Sequence, residues 1–240
     1  MKLASFDLEI ASVLPDTDLE WFKRAGLGIS CAAVAGDDFS ETRLWQGRPR
    51  LAPTDSTDLV HRLKELSDEG YLLISWNGCS FDFRVLAEES GLSRECGELA
   101  LHHVDLMVMV TFSKGWYLSL QSALEGAGLA GKLKTVRLTD GSLVTDMGAS
   151  KAPTLWAAGE YAAVLEYLKR DVGQLLTLAH SVEDQQTIRW TSRTGKPQEA
   201  RFPRLLTVAE CFEIPEPDTS WMTDPPKRQH FVDWIDRLPA

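Results

Sequence analysis

The sequence has few cysteines, and their spacing does not suit a metal site or a disulfide framework. Structural zinc sites and small disulfide-stabilised domains depend on closely spaced Cys or His residues. This chain has no CxxC pair and no nearby Cys/His set, so neither is expected and the thiols should be reduced. The four cysteines are scattered along the chain: Cys31, Cys79, Cys96 and Cys211.

Long apolar runs are also missing. No stretch reaches the roughly 18 consecutive apolar residues that a membrane-spanning helix needs. At the N-terminus, Asp7 and Glu9 occupy positions where a signal peptide would need its apolar region. We therefore expect a cytoplasmic protein without a membrane partner.

Basic residues are fewer than acidic residues. The chain carries 25 Lys and Arg against 35 Asp and Glu, a net charge of −10. Such a surface repels a phosphate backbone, which excludes a non-specific coat for nucleic acid. It does not exclude a nuclease, because metal-binding carboxylates count as negative and a local basic patch can hold a substrate. With 240 residues, 44% of them hydrophobic, the chain is long and apolar enough to fold around a core.

Alternation and apolar runs predict a mixed sheet. Strands with short links at the start of the chain indicate an antiparallel meander, and later strands separated by helices favour parallel pairing. A turn-rich segment, Leu14-Pro15-Asp16, follows the first strand, and Gly36-Asp37-Asp38 is typical of a hairpin turn. The predicted strands are Lys2–Ile10, Leu27–Ala35, Thr42–Trp45, Tyr71–Trp76 and Val104–Val110.

Helical spacing of apolar residues predicts the helices that flank this sheet, and the fold class is α/β. Residues 1–183 are expected to form this domain. Residues 184–240 are expected to form a C-terminal appendage with a basic hairpin through Arg193-Thr194-Gly195-Lys196 and a tail rich in Trp and Pro. The predicted helices are Thr57–Ser67, Ser80–Glu89, Leu118–Ala127 and Tyr161–His180.

Two acidic residues of the first strand are candidates for a metal site. Asp7 and Glu9 lie two apart, so their carboxylates project from one face about 6 to 7 Å apart. In a buried strand two such charges repel each other unless a positive charge lies between them. The alternative is a strand at the sheet edge with both acids in water.

Two later segments add further candidates. Asp82 follows the turn Asn77-Gly78 at the start of a helix, a place where ligands bind in open α/β sheets; the alternative is a plain turn and a favourable charge near a helix N-terminus. Tyr167 and Asp171 lie four apart on one face of the long helix. Their alternative is a core tyrosine and an ion pair of Asp171 with Lys169 or Arg170. Carboxylates without His or Cys favour Mg²⁺ or Mn²⁺ over Zn²⁺.

These segments together resemble the three motifs of the DEDD exonucleases. The motifs are Phe6-Asp7-Leu8-Glu9, Asn77-Gly78-Cys79-Ser80-Phe81-Asp82 and Tyr167-Leu168-Lys169-Arg170-Asp171. The last is similar to the Tyr-x3-Asp motif of the DEDDy branch, since Glu166 stands where the other branch has His. Asp105-Leu106 and Leu118-Ser119-Leu120 are similar to the polymerase-B type of proofreading domain. The resemblance implies an RNase H-like fold over residues 1–183.

The resemblance also implies a reaction and roles. The reaction is hydrolysis of phosphodiester bonds by two Mg²⁺ or Mn²⁺ ions at the 3′ end of a single strand. Asp7 would bridge both ions, Glu9 and Asp171 would complete the first, and Asp82 would hold the second through water. Tyr167 would orient the attacking water through its hydroxyl. Asp105, a fifth acidic candidate, is expected to orient a neighbouring loop instead of binding metal.

Substrate contacts are predicted in three places. Leu8 and Asn77 match family positions near the terminal nucleotide, although alternation directs Leu8 to the opposite face of the strand. In the predicted hairpin, basic side chains could bind the backbone of a single strand and an aromatic ring could stack on its bases. The alternative is that Trp190 packs on the domain. The hairpin residues concerned are Arg189, Trp190, Arg193 and Lys196. Lys132, Lys134 and Arg137 form a second small basic patch.

Three functions remain open from the sequence. The first is a metal-dependent 3′-to-5′ exonuclease, with DNA favoured over RNA as its substrate. The second is an exoribonuclease that trims RNA, which uses the same chemistry. The third reading is a catalytically silent module that binds nucleic acid or a protein. A polymerase or repair enzyme as a partner in trans is compatible with each of them.

Overall fold

A computed structural model describes residues 1–14 and 26–236 of the chain. The central feature is a five-stranded mixed sheet in the order β3-β2-β1-β4-β5. Strands β1, β2 and β3 pair antiparallel, whereas β1 with β4 and β4 with β5 pair parallel. Its strands are β1 (Lys2–Ile10), β2 (Ile29–Gly36), β3 (Arg43–Gln46), β4 (Tyr71–Ser75) and β5 (Val104–Asp105).

Helices cover both faces of this sheet, so the predicted α/β class, with a mixed sheet of antiparallel and parallel strands flanked by helices, is confirmed. None of the helices in residues 1–14 and 26–236 is long and apolar enough to cross a bilayer. Pro15 and Asp16 of the expected turn lie outside the described residues. The helices are α1 (Pro53–Asp68), α2 (Asp82–Ser90), α3 (Ser93–His102), α4 (Leu106–Lys114), α5 (Leu120–Gly126), α6 (Ala152–Ala157), α7 (Tyr161–Gln185) and α8 (Val208–Cys211).

Small residues on β2 let α7 lie close to the sheet. Cys31, Ala33 and Ala35 point to one face of β2 and are buried in a cluster with Leu168 and Val172 of α7. Side chains of this size leave the space that a helix axis needs beside a sheet. The sequence of β2 thus brings α7 against β1 and β2.

One predicted strand is wrong. Extended structure covers only Val104–Asp105 of the predicted strand Val104–Val110, and α4 begins at Leu106. Every α4 residue from Leu106 to Phe112 is buried. An apolar run of this length suits a buried strand or a buried helix equally, because periodicity does not separate the two. Helices α3, α6 and α8 were also not predicted.

The residues after 183 share the main core. A two-stranded hairpin joins β8 (Thr187–Thr191) and β9 (Pro197–Arg201) across the turn at Gly195. Ile188, Trp190 and Trp234 belong to the same hydrophobic cluster as the central sheet. A second two-stranded sheet, β6 (Val136–Arg137) with β7 (Leu143–Val144), and a 3₁₀ helix, Arg228–Phe231, complete the described elements.

Candidate active site

Asp7 and Glu9 lie in the middle strand of the sheet and not at its edge. Asp7 is in register with Ala33 and Glu9 with Cys31, on the face where α7 packs. Glu9 is only 4% exposed. The alternative of a solvated edge strand therefore does not apply, and both carboxyl groups are held in an environment that disfavours their charge.

Asp82 reaches the same place from the first turn of α2. The backbone N–H of Leu8 donates to Asp82 Oδ1 at 3.2 Å and to Asp7 Oδ1 at 3.0 Å. One backbone N–H thus holds the carboxyl groups of Asp7 and Asp82 side by side, and Asp82 is only 3% exposed.

Tyr167 and Asp171 face the sheet from α7. The hydroxyl of Ser5 on β1 donates to the carbonyl of Val172 at 2.7 Å. This hydrogen bond fixes the position of α7 along the strand. Tyr167 and Asp171 are both almost fully buried. Neither the Tyr167 hydroxyl nor either Asp171 oxygen has a hydrogen bond. Buried polar atoms without partners are uncommon and are typical of ligand sites.

Burial and mutual repulsion raise the pKa of every one of these carboxyl groups. Burial, followed by the charge of Asp171, raises the pKa of Asp7 to about 6. Burial and the charge of Asp7 raise the pKa of Glu9 and of Asp82 well above the ordinary values. Burial also raises the pKa of Asp171, with Lys132 opposing it. Ionising all of these groups together is therefore unfavourable unless a cation compensates their charge.

Lys132 supplies positive charge inside the site, a role the sequence analysis did not assign to it. Its Nζ lies 2.5 Å from Asp171 Oδ2, an ion contact without hydrogen-bond angles. The same Nζ lies 5.0 Å from the centre of the Tyr167 ring. The alternative pairing of Asp171 with Lys169 or Arg170 is not the one found. No motif marks Lys132, because the loop that carries it is placed only by tertiary contacts.

A cavity of about 490 Å³ opens over the carboxylates. Its wall includes the four acidic residues, Lys132, and the partly buried rings of Trp76 and Phe81. A pocket that combines convergent charged groups with aromatic rings has the character of a small-ligand site. The acidic residues that line it are Asp7, Glu9, Asp82 and Asp171.

Asp105 holds the turn before α2 and does not face the cavity. Its carboxylate accepts hydrogen bonds from the backbone N–H groups of Asn77 at 2.9 Å and Cys79 at 3.0 Å. It also caps α4 by accepting from Met107 and Val108. This is the loop-orienting role expected for Asp105.

Of the predicted substrate contacts, Leu8 and Lys132 line the cavity, and Leu8 is only 3% exposed. Asn77, with a φ of 70°, accepts a hydrogen bond from the Ser80 hydroxyl at 2.6 Å and does not line the cavity. Its residue type suits the left-handed region. The roles predicted for Leu8 and Asn77 remain predictions.

The basic hairpin lies outside the cavity wall. Trp190 is 6% exposed and contacts the ring of Trp116, as in the alternative in which it packs on the domain. Arg189 bonds to Gln185 and lies near Glu199. Arg193 and Lys196 are exposed near the tip. A buried Trp190 ring has no face free for stacking a base, so the hairpin offers charge and no stacking surface.

The donor set fits a hard divalent cation in its chemistry. All donors are carboxylate or phenol oxygens, and neither oxygen of the buried Asp171 has a hydrogen bond of acceptable geometry. Within the described ranges, however, no three His, Cys, Asp or Glu side chains are gathered closely enough to hold a metal ion as they stand. An ammonium group contacts Asp171 instead, so metal binding requires side chains to move.

Comparisons with known proteins add little at the level of sequence. No family model matches the chain, and no curated protein matches it. Among solved structures the chain is similar to a moderately thermophilic Exonuclease I from Methylocaldum szegediense, at 13% sequence identity and a TM-score of 0.36. The match covers 77% of this chain, which spans 41% of the length of that protein.

Proposed function

We propose that this chain is a metal-dependent 3′-to-5′ exonuclease that hydrolyses phosphodiester bonds at single-stranded ends. The observation that carries the proposal is the convergence of Asp7, Glu9, Asp82 and Asp171 on one cavity, with Tyr167 packed beside them. Buried carboxylates with raised pKa values are costly to keep unless they bind a cation. The resemblance to the DEDDy motifs covers the same five residues.

In this proposal the four carboxylates hold two Mg²⁺ or Mn²⁺ ions. Bound ions of this kind supply a hydroxide nucleophile and stabilise the leaving oxygen. Glu9 and Asp171 would share one ion with Asp7, and Asp82 would serve the other. Without cations, these acidic side chains would repel a phosphate group, because phosphate is itself negative. The proposed substrate would therefore bind only when metal ions are present.

The chain's own groups would orient the reacting parts. The Tyr167 hydroxyl, which has no hydrogen bond, would donate to or accept from the attacking water. Burial raises its pKa, so Tyr167 remains a neutral phenol and is not a base. Trp76 and Phe81 in the cavity wall suit contact with the terminal base, since aromatic rings stack on bases of any sequence.

The test is an assay of 5′-labelled single-stranded DNA and RNA with Mn²⁺ or Mg²⁺. We expect a ladder shortened from the 3′ end, released mononucleotides, and no reaction in EDTA. Asp7→Asn or Asp171→Asn should lower the rate by about a hundredfold or more, since even residues that only support metal ligands cost 10- to 100-fold. The ratio of DNA to RNA rates decides between the exonuclease and the RNA-trimming alternative.

Asp184→Asn is the matched control, because Asp184 is an exposed carboxylate near the end of the same helix α7. It should retain the parent rate. A rate within tenfold of the parent for Asp171→Asn would reject the site assignment. Binding of oligonucleotides without any cleavage would favour the silent binding module.

A further inference from the structure

Lys132 is a cation held among the groups that we propose as metal ligands. Its Nζ contacts Asp171 Oδ2 at 2.5 Å, while the Asp171 side chain is 1% exposed and that of Lys132 is 27% exposed. The Lys132 ammonium and the Asp171 carboxylate therefore form an ion pair in the wall of the cavity.

An ammonium and a divalent ion compete for Asp171. Like charges a few ångströms apart repel by about 4 kcal/mol per unit pair in a partly buried site. A divalent cation bound to Asp171 would thus meet the Lys132 Nζ at close range. The simplest relief is for the lysine side chain to leave the carboxylate when the cation enters.

The lysine can leave without moving its loop. Its backbone N–H is fixed to Gln121 Oε1 at 2.8 Å, and Gly131 before it, with a φ of 74°, packs closely on the same Gln121 side chain. The side chain beyond Cα has four rotatable methylene groups. The motion needed is therefore a change of rotamer and not a rearrangement of the chain.

A second cavity offers the displaced ammonium a place. This cavity of about 470 Å³ shares Lys132 with the first cavity, so the lysine stands between the two. The exposed Glu166 lines it and provides a carboxylate. Its other charged lining residues are Lys134, Lys169 and Arg170.

We propose that Lys132 is a resident counter-cation that a divalent ion must displace from Asp171, so that this lysine sets the metal affinity of the site. The proposal rests on the proposed function, because it takes Asp171 as a metal ligand. Without divalent ions, Lys132 keeps the acidic residues compensated and the site closed to the metal-dependent reaction. The proposed nuclease activity would then depend on the concentration of the free divalent cation.

The first experiment measures Mn²⁺ binding by calorimetry on the parent and on Lys132→Met. Removing the competing charge should tighten Mn²⁺ binding by at least about tenfold. Lys132→Arg keeps the charge and should stay within about threefold of the parent. Lys64→Met is the matched control: it removes an exposed positive charge on α1 that lines neither cavity, and its affinity should match the parent. Unchanged or weaker binding by Lys132→Met overturns the proposal.

A second measurement uses the unmodified parent, in case Lys132→Met does not fold. The rate at which an amine-specific acetylating reagent modifies each lysine is followed by mass spectrometry with EDTA and with saturating Mn²⁺. We expect Lys132 to be modified several times faster with Mn²⁺, while the exposed Lys64 changes little. An equal or slower rate at Lys132 contradicts displacement.

The two proposals fail in different ways. If Asp171→Asn binds Mn²⁺ as tightly as the parent does, the metal site itself is wrong and the proposed function fails with it. If Asp171→Asn weakens binding while Lys132→Met leaves it unchanged, only the displacement fails and the nuclease proposal stands.

Discussion

Burial decides how the acidic side chains of the candidate site behave. Asp7 and Glu9 have ordinary carboxyl groups, yet their pKa values rise because β1 is the middle strand and α7 covers it. Asp171 gains one ion contact but no hydrogen bond. The same residue types on a sheet edge would be solvated and unremarkable, so the chemistry of each residue comes from its position.

Stability should depend on pH through Asp7. The raised pKa of about 6, against 3.8 for an ordinary aspartate, means that the folded protein binds more protons than the unfolded chain between these pH values. Stability of the metal-free protein should therefore fall as pH rises from about 4 to about 6, by at most about 3 kcal/mol for this residue. Glu9 and Asp82, whose pKa values are also raised, extend the fall to higher pH.

The measurement is urea unfolding in EDTA at pH 5 and pH 8 for the parent and Asp7→Asn. The variant keeps an oxygen for the Leu8 N–H but has no charge, so it should lose less stability between the two pH values and be the more stable protein at pH 8. Equal pH dependence in both proteins would show that Asp7 is not a buried, titrating group.

At the scale of elements, the turn between β4 and α2 positions Asp82, and Asp105 positions the turn. One carboxylate satisfies four backbone N–H groups, two in the turn and two in the first turn of α4. Gly78 fits here because a Cβ at this position would clash with the Ser75 hydroxyl. Helix, turn and strand ends are therefore tied together at the carboxyl end of the parallel strands.

Asp105→Ala should destabilise the protein by about 3 kcal/mol or more, because it leaves buried N–H groups without acceptors. Ser119 is the exposed N-cap of α5, and its hydroxyl accepts a hydrogen bond from the backbone N–H of Ser122 at 3.1 Å. Ser119→Ala removes this cap and should lower the stability by about 1 kcal/mol. Urea unfolding of both variants makes the comparison. A loss for Asp105→Ala no larger than that for Ser119→Ala would contradict the anchoring role.

At the scale of the whole molecule, the C-terminal residues are joined to the core and to the candidate site. The indole N–H of Trp234 donates to the carbonyl of Cys79 at 2.8 Å, and the Cys79 thiol donates to the carbonyl of Phe231. Phe231 and Trp234 are at most 7% exposed, whereas Trp221 is 68% exposed. The tail thus packs against the turn that leads to Asp82.

A chain that ends at residue 183 tests the predicted boundary between the domain and its appendage. It lacks several large buried side chains, each worth about 1.5 to 3 kcal/mol of burial, against a typical total stability of 5 to 15 kcal/mol. We expect no cooperative unfolding transition for the shortened chain. A cooperative transition close to that of the full chain would instead establish residues 1–183 as an independent domain. The side chains removed include Ile188, Trp190, Phe202, Phe231 and Trp234.

The sequence by itself determined the strands and helices whose hydrophobic period is clear, β1 and α7 above all, and it singled out the acidic residues and Tyr167. These are local patterns, since alternation and helical spacing express which face of an element is buried. The tertiary structure decided what depends on distant contacts: that the run after Asp105 is a helix, that Trp190 is core, and that Lys132 contacts Asp171. The last pair joins residues 39 positions apart through a loop without periodicity, and only packing determines where such a loop places its charge.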